Sequence, residues 1–191
     1  MVRRIFRREK VNYLGQYLDV NIPSLELVTP QGRLDLNEWM IDIDVLWSPD
    51  SRFVALTGGT SSYTESLRVF AITESGPKPI DATLQPARDM ALLLQPYCAR
   101  YIGPLDCIPD PGEDGLNFVA VAWADTHTLA LVSEVPCGTA FGGTMCQAMG
   151  YEVDPPSGNI VSKMTFLEFS KKWRHAIPPR FRIPEPPEWQ N

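Results

Sequence analysis

Apolar and polar positions alternate most clearly over residues 41–59. Ile41, Ile43, Val45 and Trp47 recur at period two, Ser48-Pro49-Asp50-Ser51 supplies a turn, and Arg52-Phe53-Val54-Ala55-Leu56-Thr57 closes on Gly58-Gly59. This alternation, broken by a Pro-Asp turn, predicts a β-hairpin with the 41/43/45/47 face on the core. Upstream, two strands are predicted over residues 16–22 and 25–28. They end at Thr29-Pro30-Gln31-Gly32, read as a type II turn whose glycine takes the positive φ. Downstream, residues 66–73 form another strand, ended by Ser75-Gly76-Pro77.

The hairpin has an echo. Residues 117–132, Asn-Phe-Val-Ala-Val-Ala-Trp-Ala-Asp-Thr-His-Thr-Leu-Ala-Leu-Val, match the hairpin with Trp123 aligned to Trp47 and one turn residue fewer. Residues 149–154, the turn Pro155-Pro156-Ser157-Gly158 and residues 159–161 then supply two further strands. The run Trp47-Ser48-Pro49-Asp50-Ser51, the Phe-Val-Ala-Leu strand and the 67–72 strand resemble one blade repeat of TolB-like β-propellers, over residues 41–80 and again over 117–161. The resemblance implies a mainly β fold, a propeller-like or duplicated antiparallel β-meander, with Trp47 and Trp123 at equivalent core positions. A closed propeller needs about four blades of ~40 residues, which 191 residues barely supply.

Two short helices complete the fold. Over residues 86–102 Pro86 suits a helix start, Met90, Leu93, Leu94 and Tyr97 recur at helical spacing, and Pro96 is expected to break or kink it. Thr165-Phe166-Leu167-Glu168 reads as a capping box opening a second helix, with Phe166, Phe169 and Trp173 on one side. Residues 1–12 read as a basic arm, 13–177 as one β-rich domain, and 178–191, with five prolines in fourteen residues, as an extended tail. The 18 prolines against 13 glycines favour many turns and few long helices.

Charge sharpens the functional reading. The net charge is −6, but residues 11–162 hold nineteen acidic against six basic side chains, a net of −13. So acidic a body repels phosphate backbones and suits a basic protein surface, so the expected partner is a protein and not nucleic acid. No apolar run reaches the ~18 residues of a membrane span.

Eight residues separate Cys98 from Cys107, and eight separate Cys137 from Cys146. These Gly- and Pro-rich intervals predict two local disulfides, 98 to 107 and 137 to 146, though four cysteines allow three connectivities and buried free thiols are the alternative. Bridges place the protein in the periplasm or outside the cell. The basic start lacks the apolar h-region of a signal peptide, so a removed signal is expected.

Candidate chemistry is sparse. His127 falls in a turn, and His175 lies among Lys171, Lys172 and Arg174 near a helix end, where it complements the dipole. No nucleophile elbow occurs, and the glycine-rich segments 58–62 and 138–144 lack the lysine of a phosphate-binding loop. Asp42 and Asp44 share a strand face and could contribute to a calcium site, but read more simply as solvated; no cofactor or metal is expected.

The expected function is a non-enzymatic exported binding protein, an inhibitor or immunity protein of a bacterium that neutralises a toxin or enzyme by protein contact. The expected contact residues are Asp106, Asp110, Glu113 and Asp114 in the acidic loop, with Phe141 as an apolar anchor. A carboxylate-dependent hydrolase and a scaffold segment of an envelope assembly are the alternatives.

Overall fold

The computed structural model describes residues 1–13, 16–36, 41–59, 65–101, 116–135 and 147–178. The chain is mainly β: three antiparallel sheets and two helices. The first sheet holds β1 (Val2–Tyr13), β2 (Gln16–Thr29) and β3 (Gly32–Asp35) in that order. The second is the meander β4 (Ile41–Trp47), β5 (Phe53–Gly59), β6 (Glu65–Thr73) and β7 (Gly76–Ile80). After α1 (Leu84–Tyr101), the third repeats that plan with β8 (Asn117–Trp123), β9 (Leu129–Glu134), β10 (Ala148–Asp154) and β11 (Asn159–Thr165). Helix α2 (Phe166–Lys172) follows directly. The duplicated meander is therefore present, and its hairpins differ by the one turn residue read from the sequence: Trp47 pairs with Val54, Trp123 with Leu129.

The layers follow from strand alternation. On β5, Val54 and Leu56 pack with Leu27 of β2 and Phe70 of β6, while Ala55 turns to the other face with Leu67, Val69, Leu129 and Leu131. The β4–β7 sheet is thus the middle layer, which is why β5 is buried on both faces. On the β8–β11 sheet, Phe118, Ala120 and Tyr151 face inward, and Val119, Ala130 and Val132 face Phe169 and Ile177. Helix α2 closes that outer face with its predicted capping box: the Thr165 hydroxyl accepts from the Glu168 N–H, and the Glu168 carboxylate accepts from the Thr165 N–H.

Several expectations are corrected. Residues 1–12 are not a free arm but most of β1, paired with β2 over its whole length, and the two predicted upstream strands merge into the single β2. Gly32 has no positive φ; it opens β3 as the last residue of the turn, where its N-terminal neighbour Gln31 holds the third position. Ser75-Gly76-Pro77 ends β6 as expected but also opens β7, the terminal strand of its sheet, where Pro77 and Pro79 are tolerated. Helix α1 starts two residues before Pro86 and runs through Pro96 to Tyr101. The acceptor that Pro96 cannot serve is the carbonyl of Leu92, a residue 69% exposed, so the lost bond falls on the water side. Ala87, Met90 and Leu94 face the core, and Leu93 is exposed.

Candidate functional site

The two meanders meet along β8, the terminal strand of its sheet. Three side-chain bonds to backbone join the meanders instead of a strand ladder. Asn117 Oδ1 accepts from the Glu65 N–H (2.8 Å), Thr57 Oγ1 accepts from the buried Ala120 N–H (3.0 Å), and Trp123 Nε1 donates to the Leu46 carbonyl (3.2 Å). Each satisfies a backbone group on a strand end or edge that would otherwise cost free energy on burial. Thr57→Val keeps the shape of the side chain and strands the Ala120 N–H, so it is expected to lower stability by about 1–3 kcal/mol in urea unfolding; an unchanged midpoint would show that the N–H finds another acceptor.

A bulge orients this junction. β8 slips its register between Ala120 and Ala122, so that Val121 and Ala122 both belong to the α2 side and Trp123 returns to the inner side. Its ring stacks on Phe53 with centroids 5.9 Å apart, and the exposed His127 meets Phe53 edge-on at 6.1 Å. The Arg52 guanidinium lies 6.0 Å from the Phe53 centroid.

Trp47 does not match Trp123. On β4 the residue packed on the core is Leu46, while Val45 and Trp47 are each 36% exposed. The 41/43/45/47 face is therefore not the core face at the end of this strand. Val45 pairs with Leu56 and Trp47 with Val54, so both extend a face that is buried under the first sheet further along. They form an uncovered continuation of an interior surface on a terminal strand that runs into the turn carrying exposed Asp50, whereas exposed Asp44 pairs with Thr57 and lies on the opposite face of β4. No protein-family model, curated protein or solved structure matches the chain. The surface is therefore read from its own geometry.

Both hairpin turns are built on an aspartate. Asp50 Oδ1 accepts from the buried Ser48 hydroxyl (2.7 Å) and the Arg52 N–H (3.1 Å), and Ser51 adopts φ 60° to close the turn. Asp125 Oδ1 accepts from the N–H groups of His127 and Thr128, each at 2.7 Å. The Ser48 hydroxyl, with backbone help, holds Asp50 below its ordinary range, and the His127 N–H does the same for Asp125. A carboxylate whose folded-state pKa is depressed stabilises the fold above its unfolded value and loses that contribution as pH falls through the folded value. Acid titration followed by NMR should show the His127 and Thr128 amides moving only below the ordinary aspartate range near 3.8, and Asp125→Asn should abolish that step; a step at or above that range would contradict the geometry.

The contact residues expected from sequence, Asp106, Asp110, Glu113, Asp114 and Phe141, lie outside the described residues, as do Cys107, Cys137 and Cys146; Cys98 falls on α1. Asp44 is on the surface of β4, and among the described residues no group of His, Cys, Asp or Glu is arranged to hold a metal ion. No helix among them is long and apolar enough to cross a membrane. His175 is exposed after α2, as expected.

Two carboxylate networks, one on half-buried Asp89 and one on buried Glu152, were missed, since each joins residues far apart in sequence. Tyr151, fully buried, donates its hydroxyl to Asp89 Oδ2 (2.8 Å), and Lys163 Nζ holds the same carboxylate at 2.7 Å. Burial first, then Asp89, pushes the Tyr151 phenol far above its ordinary range, so it remains the proton donor that ties α1 to β10. Glu152 Oε1 takes Lys172 Nζ (2.6 Å) and Trp173 Nε1 (3.2 Å), anchoring the end of α2 on β10. Both are pins between elements, with every strong contact directed at the protein itself.

Proposed function

We propose that the chain is a binding protein, an exported inhibitor or immunity protein that acts by protein–protein contact. The carrying observation is the Val45–Trp47 surface. A tryptophan half out of water, backed by buried Val54 and Leu56 and fixed on a sheet edge, is a rigid anchor of the kind that dominates binding energy at interfaces. Asp50 and Asp125 outnumber Arg52 at the two hairpin turns, and the strongly acidic central chain favours a basic partner both in encounter and in register. The TolB-like resemblance agrees with a recognition role, since repeated meanders carry their binding surfaces on loops and strand ends. Placement in the periplasm or outside the cell rests on the paired cysteine spacing; a mass change on alkylation without prior reduction would reveal free thiols and remove that support.

The test uses the full chain, tagged and purified from its own cell beside the variants Trp47→Ala and Val45→Lys. Quantitative mass spectrometry is expected to find a basic protein recovered with the unaltered chain and reduced roughly tenfold or more with Trp47→Ala. Equal recovery with all three proteins would reject this surface as the contact.

A further inference from the structure

Among the described residues, six terminal strands bound the three sheets, and five of them are guarded against a further strand or already occupied. β1 has five basic residues in its sequence, β3 is four residues long, and β7 sets Pro77 and Pro79 on either side of exposed Lys78. β11 skips Val161 in its pairing with β10 and carries exposed Lys163, and β8 is taken up by the seam between the meanders. Charge, brevity, proline and bulges are the ordinary guards of a sheet edge. β4 is different. From Asp44 to Trp47 it has no proline, no lysine and no break in its register with β5.

The direction of its backbone groups follows from the ladder. The Ser48 N–H donates to the Phe53 carbonyl (3.0 Å), and on the other side of β5 the Ile72 N–H donates to the Arg52 carbonyl (2.8 Å). Antiparallel neighbours bond at every second residue, so Phe53, Ala55 and Thr57 turn their N–H and C=O groups toward Ser48, Leu46 and Asp44. The N–H and C=O groups of Val45 and Trp47 therefore point away from β5. Among the described residues no backbone group bonds them. The open backbone edge and the exposed Val45 and Trp47 side chains thus belong to the same two residues.

We infer that the protein partner binds by adding a strand to β4, through an extended segment in which apolar residues alternate with lysine or arginine. The inference rests on the reading of the Val45–Trp47 surface as a binding site and names how a partner takes it. The outward N–H and C=O groups of Val45 and Trp47 supply the pairing, and alternate side chains supply the choice of segment. A strand about 4.8 Å outside β4 lays every second side chain beside Val45 and Trp47 and sets the intervening ones beside exposed Asp44, on the opposite face. Side chains of opposite charge are favoured as cross-strand neighbours, so the intervening positions are basic. A second copy of β4 fits less well, because it brings its own Asp44 and the same acidic central chain.

The probe is a capped peptide of four Lys-Val repeats, with a Glu-Val peptide of the same length as control, added to the full chain. The Lys-Val peptide is expected to slow amide hydrogen exchange at Val45 and Trp47 by roughly tenfold or more, read by NMR. Val45→Pro removes only an outward N–H and leaves the β4–β5 ladder whole, whereas Val45→Ala keeps that N–H. With both variants first shown to be folded by their thermal transitions, Val45→Pro should bind the peptide roughly tenfold or more weakly than Val45→Ala, and the Glu-Val peptide should bind the unaltered chain more weakly by a similar factor. Should Val45→Pro fail to fold, exchange in the unaltered chain decides the matter by itself. A peptide that does not bind, one that binds and leaves both amides unprotected, or equal affinities for the proline and alanine variants would each overturn the inference. So would protection of the two amides that rises with protein concentration in the absence of peptide, which would mark pairing between copies. If the amides stay unprotected while Trp47→Ala still loses the basic partner, strand addition fails and the binding surface stands.

Discussion

Gly150→Ala is expected to lower stability by about 3 kcal/mol or more, although it adds one methyl group. Gly150 lies on β10, between Val132 of β9 and Met164 of β11, on the face covered by α2. A Cβ at this position would overlap Cβ, Cγ and Cδ2 of Phe169. Phe169 has nowhere to go: it is fully buried among Val119, Val121, Ala130 and Val132. The helix that carries it is fixed at its start by the Thr165–Glu168 capping box and at its end by Lys172 and Trp173 on Glu152. Relief therefore requires lifting α2 from the sheet, which exposes that whole cluster. Urea unfolding should show a large fall in midpoint, and in a double variant with Phe169→Ala the two costs should fall well short of additive, since removing the ring removes the clash. Additive costs, or a near-neutral Gly150→Ala, would mean that the sheet and helix are not in this contact.

The same cluster shows how far the sequence could be read. The capping box and the Phe166–Phe169–Trp173 face are local features, set by spacings of three and four residues, and they were legible in advance. The repeated hairpins were legible for the same reason, down to the missing turn residue. What failed was everything decided by a distant element. Alternation gives a strand two faces, but only the neighbouring layer decides which is covered; on β4, apolar Val45, Leu46 and Trp47 satisfy either phase, and packing against the β8–β11 sheet selected Leu46. β1 is too basic to look like a strand by itself, and its partner β2 defines it. Gly150 carries no local signal at all: its need to lack a side chain comes from a phenylalanine nineteen residues later. The candidate surface was similarly hidden, since an exposed Trp47 is recognised only once its neighbour Leu46 is known to pack on the core.

The two aligned tryptophans should therefore part company in stability. Trp123→Ala is expected to cost about 3 kcal/mol, because it removes the stacked ring from Phe53 and leaves the Leu46 carbonyl without its indole donor at the seam between the meanders. The bulge that turns Trp123 inward has no function once the ring is gone, so the change should also loosen the register of β8, visible as faster amide exchange at Ala122 and Trp123. Trp47→Ala, at the corresponding place on β4, should cost below about 1 kcal/mol, because its ring is already partly in water and the core contact of that strand belongs to Leu46. Paired thermal or urea melts of the two variants decide the matter. Equal, large losses would restore the two rings to equivalent core positions and remove the anchor from the proposed surface. A large loss for Trp123 alone leaves Trp47 free of a structural duty, and gives a folded variant in which any loss of binding belongs to recognition.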